Sequence, residues 1–357
     1  MPRIAILQPF IPHYREEFFS LLSKDNNEVE IYVYEQYEKS RQDGFSLAET
    51  PVSHIASFTL FGLLFYNPLP LLRSNADTIV AMFLFSHVST WFLLLTQFIH
   101  HKRIILWGQG ISVKRYLQEE VRPDWKLKSM LSLADGAWIY MRKEANQWKK
   151  IFPRKSIVAL NNTLSNISKM TSYEPDCSKE ALKEKYGITE EVILLFCARF
   201  ANQYRRADLL IETIQNLDPE HYGFIIIGEG PFKPDFSAYR NVYNYNAVYD
   251  ETFKRELFAV ADVYFQPGWV GLSIVEAMAY GKPVFTFKRG AETKQCVEYS
   301  YIQHGVNGLI FESIDECIAT ISSISNDEIA RLGNNAKTLA IKELSVEQMV
   351  SNATSIL

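Results

Sequence analysis

The chain has 357 residues, 47% hydrophobic and 22% charged, with a formal net charge of -4. That is room for two ordinary domains with real cores, and the weak negative balance argues against a general nucleic-acid binder. Its four cysteines, Cys177, Cys197, Cys296 and Cys317, form no C-x-x-C pair, which suits reduced thiols in a cytoplasmic protein better than a disulfide frame or a zinc site.

Arg3-Ile-Ala-Ile-Leu reads as a first strand directly after Met1, with no cleavable apolar leader. Further short apolar runs follow at Val29–Tyr34, Thr78–Met82, Arg103–Trp107, Gly136–Tyr140 and Ser156–Leu160. Between them, Phe58 to Leu72 is apolar but broken by Gly62, Asn67, Pro68 and Pro70, which is too punctuated to span a bilayer. Thr78 to Ile99 carries no charge, yet its hydroxyls, His87 and Gln97 divide it into a buried strand and a helix rather than a membrane span. His87 fits a satisfied helix-start residue better than a ligand. Lys102 to Lys155 then holds thirteen Lys/Arg against five Asp/Glu. With the apolar run upstream, this charge fits contact with a bilayer surface, and equally a solvated helical face.

After a Ser-, Asn- and Thr-rich linker at 161–175, a second set of strands is expected at Val192–Cys197, Gly223–Gly228, Asn241–Tyr245, Ala261–Gln266, Pro283–Phe287 and Gly308–Phe311. One long helix is expected over 326–357. Short, wholly apolar strands between helices mark parallel sheets covered on both faces. The expectation is two Rossmann-like doubly wound domains facing an interdomain cleft: an acceptor-binding domain over 1–165 and a donor-binding domain over 176–339. The end of the terminal helix, 340–357, folds back on the first domain.

The chemistry concentrates in the second set. After Gln266 a Pro-Gly turn leads into a helix near Ser273 that stops at Gly281 before Pro283. Free N–H groups at such a helix start suit an anion such as a diphosphate, and Glu276, one turn in, can accept two hydrogen bonds from a ribose. The same residues also fit an ordinary βα turn with a solvent-facing glutamate. Arg199 follows a strand, and Arg205 and Arg206 precede a helix, where open α/β sheets bind ligands and where guanidinium suits phosphate; surface arginines are the plain alternative. Ile227-Gly-Glu-Gly-Pro is a tight turn, weak as a signal alone. In the first half, Pro12-His-Tyr-Arg places His13, Tyr14 and Arg15 in the loop after the first strand, and Trp107-Gly-Gln-Gly ends another strand with Gln109. No Asp-x-Asp occurs, so a carboxylate-held metal is not supported, and arginines would neutralise a diphosphate.

Four blocks in order resemble glycosyltransferase family 4, the group 1 transferases of the GT-B fold. They are Ala198-Arg199 with Arg205 before Asp208-Leu-Leu; Gly228-Glu-Gly-Pro; Ala261-Asp through Glu276-Ala-Met-Ala-Tyr-Gly-Lys-Pro-Val; and His304-Gly-Val-Asn-Gly-Leu-Ile-Phe. The resemblance implies a retaining, metal-independent transfer from a nucleoside-diphosphate sugar, with no cofactor. It implies that Arg199 and Arg205 hold the diphosphate, that the Gly271 and Leu272 amides meet the phosphates, and that Glu276 meets the ribose. Gly268 and Trp269 then face the sugar, Gln109 joins the two arginines in catalysis, and His13, Tyr14 and Arg15 meet the acceptor. The implied acceptor is a glycan or lipid-linked glycan of bacterial surface polysaccharide, with the protein cytoplasmic or at the inner face of the membrane. Two positions depart: Gly268 stands where the family has a glutamate, and Gln109 where it often has histidine. They motivate an alternative, a transferase-like nucleotide- or glycan-binding subunit without efficient turnover. An epimerase or phosphorylase on the same fold is a third reading, and nothing in the sequence marks the free-phosphate site a phosphorylase needs.

Overall fold

The computed structural model describes residues 2–24, 28–35 and 50–357. The chain divides into two units, Met1–Asn166 with Leu344–Leu357, and Ile167–Glu343.

The first unit is built on strands β1 (Arg3–Gln8), β2 (Glu28–Val33), β3 (Ser53–His54), β6 (Thr78–Met82), β7 (Arg103–Gly108), β8 (Gly136–Ile139) and β9 (Ser156–Ala159), all parallel, in the order β3-β2-β1-β6-β7-β8-β9. Side chains alternate between two faces, so each face needs its own cover. One takes Ala5, Leu7, Ile79 and Leu106 into a core with Leu93 and Trp148. The other takes Ile4, Ile6, Trp107 and Trp138 into a core with Phe18 and Phe19 of the helix Glu16–Lys24.

That second core is completed by the end of the chain. Val346, Met349, Val350 and Ala353 pack into it, the Trp138 indole donates to the Ala353 carbonyl at 3.1 Å, and Arg103 donates to the Leu357 carbonyl at 2.7 Å. The single helix expected over 326–357 is two, Asn326–Glu343 and Val346–Thr354. The break lies where the Ser345 side chain accepts from Gln348 N and caps the second helix.

Three strands were not expected: β3, and the antiparallel pair β4 (Ser57–Leu60) and β5 (Leu63–Tyr66). Thr78 to Ile99 forms β6, the helix Val88–Leu95 and a short turn of helix, Gln97–His100. No helix among the described residues is long and apolar enough to cross a membrane.

The second unit carries β10 (Val192–Cys197), β11 (Tyr222–Ile227), β12 (Val242–Tyr245), β13 (Val263–Phe265), β14 (Val284–Phe287) and β15 (Gly308–Phe311), all parallel, in the order β12-β11-β10-β13-β14-β15. Strand order reverses between β10 and β13, and the loops leaving their carboxyl ends frame the crevice where doubly wound sheets take ligands. Those loops begin at Ala198 and Gln266.

Candidate functional site

In the second unit the crevice is lined by three loops that hold one another in place. The turn after β11 packs against the one after β10. Phe200 N donates to Glu229 O at 2.9 Å and Phe232 N to Phe200 O at 3.1 Å. Gly228 and Gly230 have φ of +146° and +142°, and a Cβ built on Gly228 would stand 2.1 Å from Ala198 O. The two glycines are therefore what lets the Arg199 segment lie against this turn.

Arg205 ties the second loop to the third. Its Nε donates to the Arg199 carbonyl at 3.0 Å and its Nη1 to the Trp269 carbonyl at 2.7 Å. Burial works against its charge and lowers its pKa, and among the described residues no carboxylate pairs with it. A half-buried cation that meets only carbonyl oxygens leaves a field that favours an anion. Arg199 is exposed beside it.

The third loop, Pro267–Leu272, is pinned by two wholly buried glutamines. Gln266 Nε2 donates to the carbonyls of Gly268 and Trp269 at 3.1 and 2.8 Å. Its Oε1 accepts from Ser273 at 2.9 Å and lies 2.8 Å from the Tyr264 hydroxyl. Gln295 Oε1 accepts from Val270 N at 2.9 Å, while its amide donates to the carbonyls of Pro267 and Phe287. Trp269 is held at φ +52°, a left-handed conformation uncommon for a bulky side chain, and its indole stacks on Tyr204 with centroids 5.1 Å apart. Neither glutamine was identified from the sequence; a glutamine closing an apolar strand is the signal that marks Gln266. Replacing Gln266 with leucine strands several buried polar groups, so the full-length chain is expected to lose about 1–3 kcal/mol in denaturant unfolding.

Past the turn, the amides of Gly271, Leu272 and Ser273 donate to no protein acceptor among the described residues. A Cβ on Gly271 would meet nothing within 4 Å, so open space lies in front of that backbone. One turn along, Glu276 is held by Lys254, whose Nζ sits 2.6 Å from Oε1 and 2.7 Å from Oε2. Burial opposes the lysine's charge, but the charge and hydrogen bond of Glu276, with smaller help from Cys197 and Tyr280, together raise the pKa of Lys254. Lys254 is a further residue that sequence reasoning missed; it lies 22 positions from its partner on another helix. Arg199, Arg205, Gly268, Trp269, Gly271, Leu272 and Glu276 thus belong to one cluster.

In the first unit, His13, Tyr14 and Arg15 form a single 3-10 turn after β1. His13 is exposed and Tyr14 half-buried. Arg15 is only 6% exposed, packed over the rings of Trp107 and Tyr140 at 5.0 and 5.3 Å and donating to Asn162 Oδ1 at 2.7 Å. Gln109 is half-buried after β7, in a turn whose Gly110 carbonyl accepts from the Trp148 indole at 2.8 Å.

An open cavity of about 810 Å³ lies at the carboxyl ends of β1, β2 and β6, lined by Pro9, Tyr34, His54, Ser57, Leu64 and His87 among others. His87 does start a helix, but its side chain makes no cap hydrogen bond. Among the described residues its buried Nδ1 has no partner, and its Nε2 lies 3.5 Å from the Tyr34 hydroxyl. Burial alone pushes it down to about 4. The folded ring thus takes its proton at lower pH than the unfolded one. Its contribution to stability is complete above about 6.5 and is lost as pH falls toward 4. Between pH 7 and pH 5 the chain should lose about 2 kcal/mol through this group, a slope that denaturant melts of His87→Asn should flatten.

Comparison with known proteins then places the second unit. Residues 191–327 match the family described as Glycosyl transferases group 1. That stretch resembles a group 1 glycosyltransferase domain. A glycogen synthase of Streptococcus sanguinis is 29% identical over 115 residues, 29% of this chain and 24% of that protein. This chain thus spans about a quarter of the length of the curated relative it matches. The structure of Anabaena Alr3699/HepE in complex with UDP superposes with a TM-score of 0.69 at 17% identity, covering 99% of both chains. Sucrose-phosphate synthase from Thermosynechococcus elongatus gives 0.67 at 13% identity, covering 100% of this chain and 98% of that one. Likeness at these identities is likeness of fold, and the fold is GT-B, with two Rossmann-like units. The three loops described above all lie within the matched stretch.

Proposed function

We propose that the chain is a retaining glycosyltransferase that takes a sugar from a nucleoside-diphosphate donor bound in the second unit. The acceptor is a glycan or lipid-linked glycan of bacterial surface polysaccharide, met at the inner face of the membrane. The observation that carries this reading is Arg205, a desolvated guanidinium that has no carboxylate partner among the described residues, beside three amides that none of them engages. A diphosphate answers both features, and the UDP in the complex of Alr3699/HepE makes uridine diphosphate sugars the first to test.

In this reading Arg205 and Arg199 hold the diphosphate, and the Gly271 and Leu272 amides meet its oxygens. Glu276, fixed by Lys254, accepts from the ribose hydroxyls with the lone pairs the lysine leaves. Gly268 and Trp269 face the sugar. As the bond from the anomeric carbon to the phosphate oxygen breaks, charge grows on the leaving diphosphate, and cations and amides already aimed there stabilise it without rearranging. The leaving diphosphate takes the acceptor hydroxyl's proton as the new glycosidic bond forms on the face the leaving group vacates. No metal enters this scheme. On the first unit, Gln109 offers a sugar hydroxyl a neutral hydrogen bond, and His13 and Tyr14 offer contacts to the acceptor. Arg15 supports their turn from beneath.

Incubating the full-length chain with a panel of nucleoside-diphosphate sugars and extracted lipid acceptors should release nucleoside diphosphate only when donor and acceptor are both present. Gly268, where any Cβ would meet the Tyr204 carbonyl at 2.4 Å so that no glutamate fits, favours one second reading, a binding subunit. Tight nucleotide binding with no release from any pair would establish that reading instead.

A further inference from the structure

We propose that the β4–β5 hairpin is a finger that inserts into the surface of an anionic lipid bilayer and holds the cavity behind it at the lipid–water boundary. The membrane contact named above rested on composition. This device rests on the hairpin's own geometry, and it stands independently of the nucleotide reading.

Alternation assigns the two faces of the hairpin. Ser57 pairs with Tyr66 and Thr59 with Leu64, a face that is exposed at Ser57 and Thr59 and turns inward at Leu64 and Tyr66. Tyr66 is buried, its backbone N–H donating to the Ser89 hydroxyl at 3.0 Å and its own hydroxyl 2.9 Å from Thr90 Oγ1. Leu64 N donates to Ser86 O at 2.8 Å, and Ser57, Thr59 and Leu64 wall the cavity, which Phe58 and Gly62 also reach. The opposite face is made by the pairs Phe58–Phe65 and Leu60–Leu63. Not one polar side chain stands on it. Phe58 and Leu60 are 61% and 50% exposed, and the rings of Phe58 and Phe65 stack at 5.0 Å. A hairpin facing water carries polar residues there.

The tip is stranger still. Phe61 and Gly62 have φ of +49° and +75°, the pair of left-handed residues that a tight hairpin turn uses, in which asparagine, aspartate or glycine normally comes first. Phenylalanine there is strained, and it is 95% exposed. A side chain that costs strain and buries nothing contributes nothing to the fold of this chain, so its use lies outside it.

The surroundings choose a membrane. Fourteen of the eighteen large hydrophobic side chains exposed among the described residues lie between Phe58 and Leu133. Lys126 Nζ stands 4.2 Å from the Phe85 ring centroid, next to a 70% exposed Trp125. Apolar and aromatic groups that enter, with the Lys126 ammonium beside them to meet a phosphate, are complementary to an anionic headgroup layer. Behind the hairpin, the cavity with its neutral His87 then opens where the polar head of an amphiphile would lie.

Sedimentation of the full-length chain with sucrose-loaded vesicles tests this. Vesicles of phosphatidylcholine with phosphatidylglycerol should carry the protein down, and phosphatidylcholine alone should do so weakly. The double variant L60S/F61N should bind about tenfold less or weaker still, the loss expected when two apolar side chains leave the interface. Asparagine suits the left-handed position, so the variant should melt no lower than the parent and bind UDP unchanged. Three results would overturn the proposal: a parent protein that stays in solution with anionic vesicles, vesicle binding undiminished in L60S/F61N, or a parent protein that dimerises through these residues in sedimentation equilibrium. Because no nucleotide is present, none of these results bears on the donor site.

Discussion

Arg205→Ala is expected to weaken nucleoside-diphosphate binding by about 100-fold, the scale set by losing a charge-assisted hydrogen bond of about 1.5–3 kcal/mol in a desolvated site. The side chain also holds the Arg199 and Trp269 carbonyls, so alanine removes a brace together with the charge. Arg205→Lys separates the two roles. It keeps the cation and gives up the planar fork, so donor affinity should stay within about tenfold of the parent, a cost near 1.4 kcal/mol. Titration calorimetry of both variants, with thermal melts as a control, reads the difference. Equal affinity in the parent and the alanine variant would remove Arg205 from the donor site.

Gly268 gives the second large effect, with a sign opposite to the one family likeness suggests. Restoring the glutamate that the resemblance leads one to expect should not restore function. A Cβ at this position would lie 2.4 Å from Tyr204 O and 2.9 Å from Arg206 Cγ, so any side chain must push the Tyr204–Arg206 segment away. Even Gly268→Ala is expected to cost about 1–3 kcal/mol by overpacking, and to weaken donor binding because Arg205 sits within the displaced segment. Gly271→Ala is the useful contrast. Its new methyl meets open space, so stability should stay within about 0.5 kcal/mol, while a ligand that approaches this backbone is obstructed. Denaturant melts and calorimetry on the pair should therefore dissociate: one variant loses stability and affinity, the other affinity alone.

All twelve strands read from short apolar runs occur in the two parallel sheets, because a strand buried on both faces needs an unbroken apolar stretch and little else. The β4–β5 hairpin escaped because it is apolar on its outer face as well. Alternation of apolar and polar residues, the usual mark of a hairpin, is confined to Ser57-Phe-Thr-Leu and absent from Leu63-Leu-Phe-Tyr. The break at Leu344–Ser345 is legible, since Ser345-Val-Glu-Gln has the spacing of a capping box, although one helix is the expectation over 326–357. Within the candidate site, residue types were legible and their partners were not. Gln295 reaches Val270 across 25 positions, and Lys254 reaches Glu276 across 22. Such pairs are set by how loops come together over a sheet edge, which no local spacing encodes. Gly268 was visible as a departure, and the reason for it, the Tyr204 carbonyl against its α-carbon, exists only in three dimensions.

The most direct test of the donor site compares uridine, UMP and UDP, with the guanosine series alongside, in calorimetric titrations of the full-length chain. An anion site built from Arg205, Arg199 and the amides of Gly271 and Leu272 predicts affinity that climbs steeply from nucleoside to diphosphate in at least one series, with the gain lost in Arg205→Ala. Diphosphate binding no tighter than the nucleoside in either series, or no binding at all, would contradict it.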